Sequence, residues 1–242
     1  MEASIMTLSE VGSFADYESW WGREAKPVYE EWLALPFFAD LKSGKLTEER
    51  LKQWMINWYS HVQESDIHRP VLWPRHHYIV GRFPQLEEVV TERAGKPLNY
   101  PYPGGQVKGL RKLGEALGLK HDVLIRGPVR PQTTHLNSFL KSLYLEGTLA
   151  EFASQLIGEE YFLGFCKLFQ EKLGQSPFQL KGDSLDYFKY WEGCLLMTYG
   201  SPGRFLLKSL FEKGLVEERP NFGIKHSAKR YAEYLIRFYQ GL

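Results

Sequence analysis

Cysteine is nearly missing from this chain: Cys166 and Cys194 are the only two among 242 residues. They form neither a CxxC pair nor a secreted disulfide framework, so a reducing cytoplasm is the expected setting. Neither has an activating neighbour, and no nucleophile is assigned. An excess of one charge is missing too. The formal net charge of +1 removes the electrostatic case for nucleic acid or an acidic membrane surface as partner. No apolar run approaches the roughly 20 residues of a membrane-spanning helix. The opening MEASIMTLSEVG has neither a basic start nor an apolar stretch and is not expected to act as a signal peptide. The sequence contains no convincing strand alternation, no repeat, and no GxGxxG, P-loop, GxSxG or HExxH motif.

What is plentiful is apolar and aromatic. Hydrophobic residues make up 43% and aromatic residues 15%, enough for one sizeable core. With no linker-like shift in composition, residues 17–242 are expected to form one domain behind a loose segment 1–16.

The spacing of apolar residues is helical nearly throughout. Tyr17–Ala34 reads as helix with a fresh start at Pro27. A short amphipathic piece stops at Ser43-Gly44. Thr47-Glu48-Glu49 then supplies a cap and two acids for a helix that ends or kinks at Arg69-Pro70. Val71–Val80 resumes it in broken form, and Pro84–Ala94 is another amphipathic helix. Gly95–Gly105 (GKPLNYPYPGG) reads as loop. Its Tyr102 is a candidate to close over a ligand, although a plain connector accounts for the composition as well. Helices are expected over Gln106–Leu117, His121–Ile125, Thr133–Glu146, Thr148–Leu173, Ser184–Tyr199, Gly203–Lys213 and Ser227–Tyr239. The fold class is therefore all-α, a single-domain bundle of about seven to ten helices.

Chemistry concentrates on Leu51–Arg69 (LKQWMINWYSHVQESDIHR). Trp54, Trp58, His61, Glu64 or Ser65, and His68 share one helical face. His61 and His68 lie roughly 20° apart around the axis, with Glu64 about 60° to one side. That face can be a pocket wall, a metal or acid–base site, or two partly buried histidines bonded to neighbours. One ion cannot easily take both His61 and His68, which stand two turns apart. His76-His77 are expected to be solvated or interfacial, and His121, His135 and His226 structural. In SQLIGEEYF, Glu159 or Glu160 falls near a buried face, where a carboxylate is costly unless paired, bonded or protonated. Glu146 and Glu151 are weaker candidates. Tyr187, Trp191, Cys194 or Leu195, and Thr198 form an aromatic-rich stripe that serves either as core or as a flat wall for a planar ligand.

The order of these segments resembles the heme-oxygenase-like TenA/PqqC/CADD superfamily. EEWLALPFFADLKSGKLTEERLKQWMINWYSH resembles its opening, GLRKLGEALGLKHDVLI a PqqC segment, SQLIGEEYF the mid-chain core helix, and DYFKYWEG the Tyr-Phe pair before the late core helix. The resemblance spans roughly residues 28–200, is closest in pattern to PqqC and CADD proteins, and implies a helical bundle around a central ligand pocket, often as a homodimer.

The same resemblance implies that most of the superfamily's working residues are replaced. Where iron-binding members carry a Glu and a His seven apart, this chain has Asn99 and Gln106. Their mid-chain Glu matches Glu159, and their late His-x3-Asp-x2-His falls on Trp191, Leu195 and Thr198. The thiaminase Asp becomes Trp58, with no cysteine in the matching place. Against PqqC-like members, a pocket Arg becomes Trp58, a Tyr becomes His61, Tyr187 matches a pocket tyrosine, and a second Arg becomes Trp191.

The resulting expectation is a PqqC-like, oxygen-dependent oxidase of an apolar or aromatic small metabolite, without cofactor or bound metal. His61 would act as base or donor, with Glu64, His68 and Glu159 as polar partners. Trp54, Trp58, Tyr102, Tyr187 and Trp191 would form the substrate wall. One alternative is an iron enzyme of nonstandard ligands, His61, Glu64, His68 and Glu159. Another is a non-catalytic ligand-binding or partner protein of the same fold.

Overall fold

The computed structural model describes residues 11–99, 105–175, 177–195, 201–217, 219 and 222–242, without side chains at 94–99 and 192–195. Among these residues every regular element is a helix. Helix α1 (Phe14–Trp20) passes through a π-turn (Trp21–Ala25) into α2 (Lys26–Leu33), which carries Pro27 in its first turn, where no N–H is needed. It begins three residues earlier than Tyr17 because the Ser13 hydroxyl accepts from the Asp16 N–H and caps it. Helix α3 (Pro36–Ser43) ends at Gly44, whose φ of 71° suits glycine.

Helix α4 (Glu48–His68) is the spine of the site. Thr47 caps it through a 3.3 Å bond from the Arg50 N–H, with Glu48 and Glu49 in the first turn. It stops where Pro70 predicts. The backbone tightens into a 3-10 turn (Arg69–Val71) and resumes as α5 (Leu72–Val80). Helix α6 (Pro84–Asn99) runs five residues past its expected end at Ala94. Pro97 falls inside this extension and removes one N–H there.

Helices α7 (Gly105–Ala116), α8 (His121–Arg126) and α9 (Pro131–Glu146) follow. The segment expected as one helix over Thr148–Leu173 is two, α10 (Leu149–Glu159) and α11 (Phe162–Leu173). At the joint, the N–H groups of Glu160 and Tyr161 turn back to the carbonyls of Ile157 and Gly158. Tyr29 sets this joint. Its hydroxyl occupies the space where a side chain at residue 158 would begin, and its ring stacks on Tyr161 at 5.0 Å. A 3-10 turn (Gly182–Leu185) leads into α12 (Asp186–Leu195), followed by α13 (Pro202–Glu212) and α14 (Ile224–Tyr239). These breaks divide the all-helical bundle, expected as about seven to ten helices, into fourteen α-helical segments among the described residues.

Helix α4 packs on α7, α8 and α9; α10 packs on α13 and α14; and α11 packs on α12. Between them lies an aromatic core in which Trp32, Phe37, Phe38, Trp54, Phe165, Phe169 and Tyr239 are all buried. Among the described residues no helix is long and apolar enough to cross a membrane.

Candidate functional site

Three turns of α4 and its 3-10 extension place Trp58, His61, Ser65 and Arg69 on one inward face. Helix α10 contributes Glu159, α11 Phe162, α12 Tyr187 and Trp191, α14 Tyr231, and the first turn of α7 Gln106. Together they enclose a central cavity with about 10 Å³ open to the centre of a water molecule. That is room for one water at most, far below the roughly 300–1,000 Å³ of pockets for larger ligands.

Aromatic rings fill most of the space. The Trp58 indole N–H donates to the Tyr187 hydroxyl at 2.7 Å. Trp191 stacks on Phe162 with centroids 5.6 Å apart. Trp54 is a core residue instead. It stacks on Trp58, packs on Phe169 at 4.7 Å and donates to the Tyr239 hydroxyl, and it does not line the cavity. Tyr102 lies outside the described residues.

An ion pair forms the polar side. Arg69 Nη2 donates to Glu159 Oε1 at 2.5 Å and to the Tyr144 hydroxyl at 2.9 Å. Burial opposes the arginine charge, but Glu159, Tyr144 and Tyr231 together hold Arg69 above its ordinary pKa. Gln155 Nε2 donates to the same Glu159 oxygen at 3.1 Å. Buried atoms around the cavity without a hydrogen-bond partner among the described residues include Arg69 Nε and Nη1, Glu159 Oε2 and Gln106 Oε1. Such atoms are uncommon in folded proteins and mark a place built to meet further polar groups.

His61 is 4% exposed, and its Nδ1 lies 3.0 Å from Asn137 Oδ1. A carbonyl oxygen only accepts, so Nδ1 carries the proton and Nε2 a lone pair. Burial depresses its pKa to about 4, with Arg69 adding to the fall and Asn137 and Glu159 opposing it. At neutral pH the ring is therefore an uncharged base at the cavity wall. Asp66, on the same helix, moves the other way. Burial lifts its carboxyl to about 7 against the pull of Gln106 and Arg69.

Glu64 and His68 do not belong to this constellation. They pair with each other at 3.3 Å, with 46% of the Glu64 side chain exposed, and neither lines the cavity. Glu159 is held by Arg69, His61 by Asn137, and no group of three His, Cys, Asp or Glu side chains among the described residues gathers to hold an ion. The residues expected for an iron site do not fit one.

Trp58 and Trp191 line the cavity, and Arg69, from the turn after α4, adds a guanidinium beside them. Its signal was in the sequence, since Arg69 continues the face of His61 and Ser65, but Pro70 masked it by marking a helix end. Asp66, Gln106, Asn137, Tyr144 and Tyr231 were not singled out as site residues, because their partners come from distant parts of the chain.

His76 is buried at 6% exposure rather than solvated, and burial lowers its pKa to about 4. His77 lies outside, over Trp73 at 6.1 Å. The other acidic candidates are structural. Glu160 bonds Arg204 and Ser201, and Glu151 closes the capping box of α10 and pairs with Arg219 at 2.9 Å.

No protein-family model matches the sequence, and no curated protein matches it. Solved structures do. A TenA homolog from Pseudomonas syringae pv. tomato str. DC3000 superposes with a TM-score of 0.70 over 98% of this chain and 97% of its own, at 10% identity. The chain has the TenA fold. A TenA homologue from P. horikoshii OT3 gives a TM-score of 0.63 over 93% of this chain and 96% of that one, at 14% identity. Both neighbours share the all-helical fold expected from the sequence, and neither bears on its leaning toward PqqC and CADD. Within the TenA fold, the cavity described above sits between α4 and the later core helices.

Proposed function

We propose that this chain is a PqqC-like oxidase that removes a proton from a small aromatic metabolite and passes its electrons to oxygen. The observation that carries this reading is the neutral His61, with its Nε2 lone pair on the wall that also holds Arg69. His61 Nε2 takes an O–H or N–H proton from the ring substituent, and the Arg69 guanidinium stabilises the anion that forms. The anion gives up two electrons and its second hydrogen, as a proton, to oxygen, and the proton held by His61 completes the peroxide. Substrate and oxygen thus become the dehydrogenated product and hydrogen peroxide. Trp58, Phe162, Tyr187 and Trp191 supply flat apolar surface for the ring. A ring enters only by displacing one of them, and Trp191, backed by Phe162, is the residue we assign to move.

Oxygen uptake and peroxide release with hydroquinone and catechol probes test the reading. Uptake is expected to fall about 10²–10⁴-fold in His61→Ala. Full turnover in that variant rules out His61 as the base.

The cavity of about 10 Å³ favours a second reading, a non-catalytic member of the fold that binds a small molecule or a partner. Mass spectrometry and metal analysis of the natively purified protein separate the two. A co-purified ligand that stays chemically unchanged in air supports the second, and stoichiometric iron overturns both.

A further inference from the structure

Gln106 and Asp66 take no part in the proton transfer just described. Gln106 is 2% exposed in the first turn of α7 and lines the cavity. Its Nε2 donates to Asp66 Oδ1 on α4, while its Oε1 is buried without a partner among the described residues. Leaving a buried amide oxygen unpaired costs about 1–3 kcal/mol. An orientation that does so needs a strong hold on the other end of the amide, and an ionised carboxylate provides one. Because a carboxylate only accepts, it fixes Nε2 toward itself. A protonated carboxyl also donates. The same amide, turned end for end, then receives that proton on Oε1 and points its NH2 the other way.

We propose that Asp66 decides which end of Gln106 the central cavity meets: an accepting oxygen when Asp66 is ionised, a donating NH2 when it is protonated. Among the described residues, the charged and titratable groups that act on Asp66 are Arg69, from the turn after α4, and Tyr187, from α12; α7 faces it with Gln106 itself. Burial holds the carboxyl near neutrality, so both states are populated at physiological pH. Asp66 keeps 8% of its surface exposed, and with it a route for protons that Gln106 lacks. A ligand group meeting Gln106 must therefore be an N–H or O–H on the alkaline side and a carbonyl or carboxylate on the acid side. Only this last consequence rests on reading the cavity as a ligand site.

Side-chain amide spectra of the full chain, labelled with ¹⁵N-glutamine and titrated without ligand, test the switch. The Gln106 signal, identified by its loss in Gln106→Leu, is expected to move with a midpoint near 7 and to stay fixed in Asp66→Asn. The ¹³C carboxyl signal of Asp66 reports the same midpoint and serves if Gln106→Leu does not fold. A Gln106 signal that ignores pH, or one that titrates unchanged in Asp66→Asn, overturns the proposal. Because no substrate is used, failure of oxygen uptake leaves this result standing, and the reverse also holds.

Discussion

Arg69 and Glu159 meet at 2.5 Å with side chains only 5% and 2% exposed, joining the end of α4 to the end of α10 across 90 residues of chain. A pair this deep is costly to break from one side, because the survivor stays charged and buried. Glu159→Gln or Arg69→Met is therefore expected to lose about 3–5 kcal/mol of stability in urea unfolding. The double variant Arg69→Met/Glu159→Leu should recover most of that loss. Additive losses would mean that the two residues are not coupled.

His61 makes stability depend on pH with a definite sign. Its pKa is about 4 when folded against 6.5 as the ordinary value, so between these limits the unfolded chain binds a proton that the folded chain refuses. Its contribution is complete above pH 6.5 and is lost as pH falls toward 4, by roughly 3 kcal/mol at most. His76 acts in the same direction. Asp66 opposes both, since its carboxyl is raised from 3.8 to about 7, so the cost of burying it grows as pH rises through that range and is complete above it. Thermal unfolding across this window should give a shallower acid slope in His61→Asn. Asp66→Asn should stabilise the protein at pH 8 and change little at pH 4.

Gly158 has no room for a side chain. A methyl group there would sit 2.0 Å from the Tyr29 hydroxyl, which itself donates to the Ala228 carbonyl at 2.8 Å. Gly158→Ala is expected to cost about 1–3 kcal/mol. Adding Tyr29→Phe should recover part of it by removing the clashing oxygen. Equal stability of wild type and Gly158→Ala would show that α2 and α10 are not locked together here.

Trp191 closes the cavity. Trp191→Ala should destabilise by about 3–5 kcal/mol and leave an apolar space that indole can fill. Indole at a hundred times its dissociation constant should then restore about 2.7 kcal/mol in the variant. Wild type should show a smaller shift, because a ring enters its cavity only by displacing Trp191. A wild-type response as large as the variant's would place the indole elsewhere.

The sequence by itself determined the all-helical architecture and many of its boundaries. Those features are local: the Thr47 cap, the glycine stop at Gly44, the break before Pro70 and the period of Trp54, Trp58, His61 and Ser65 all act within a few residues. It also put His61, Glu159, Tyr187 and Trp191 among the site residues, since each lies on an apolar face where a polar or aromatic group has to be explained. Tertiary structure alone decided their roles. Glu64 and His68, equally promising on the helix, pair at the surface, while Arg69, Gln106 and Asn137 supply the buried hydrogen-bond partners of Glu159, Asp66 and His61. Burial and charge pairing are properties of what comes from elsewhere in the chain, and the spacing along one helix does not carry them.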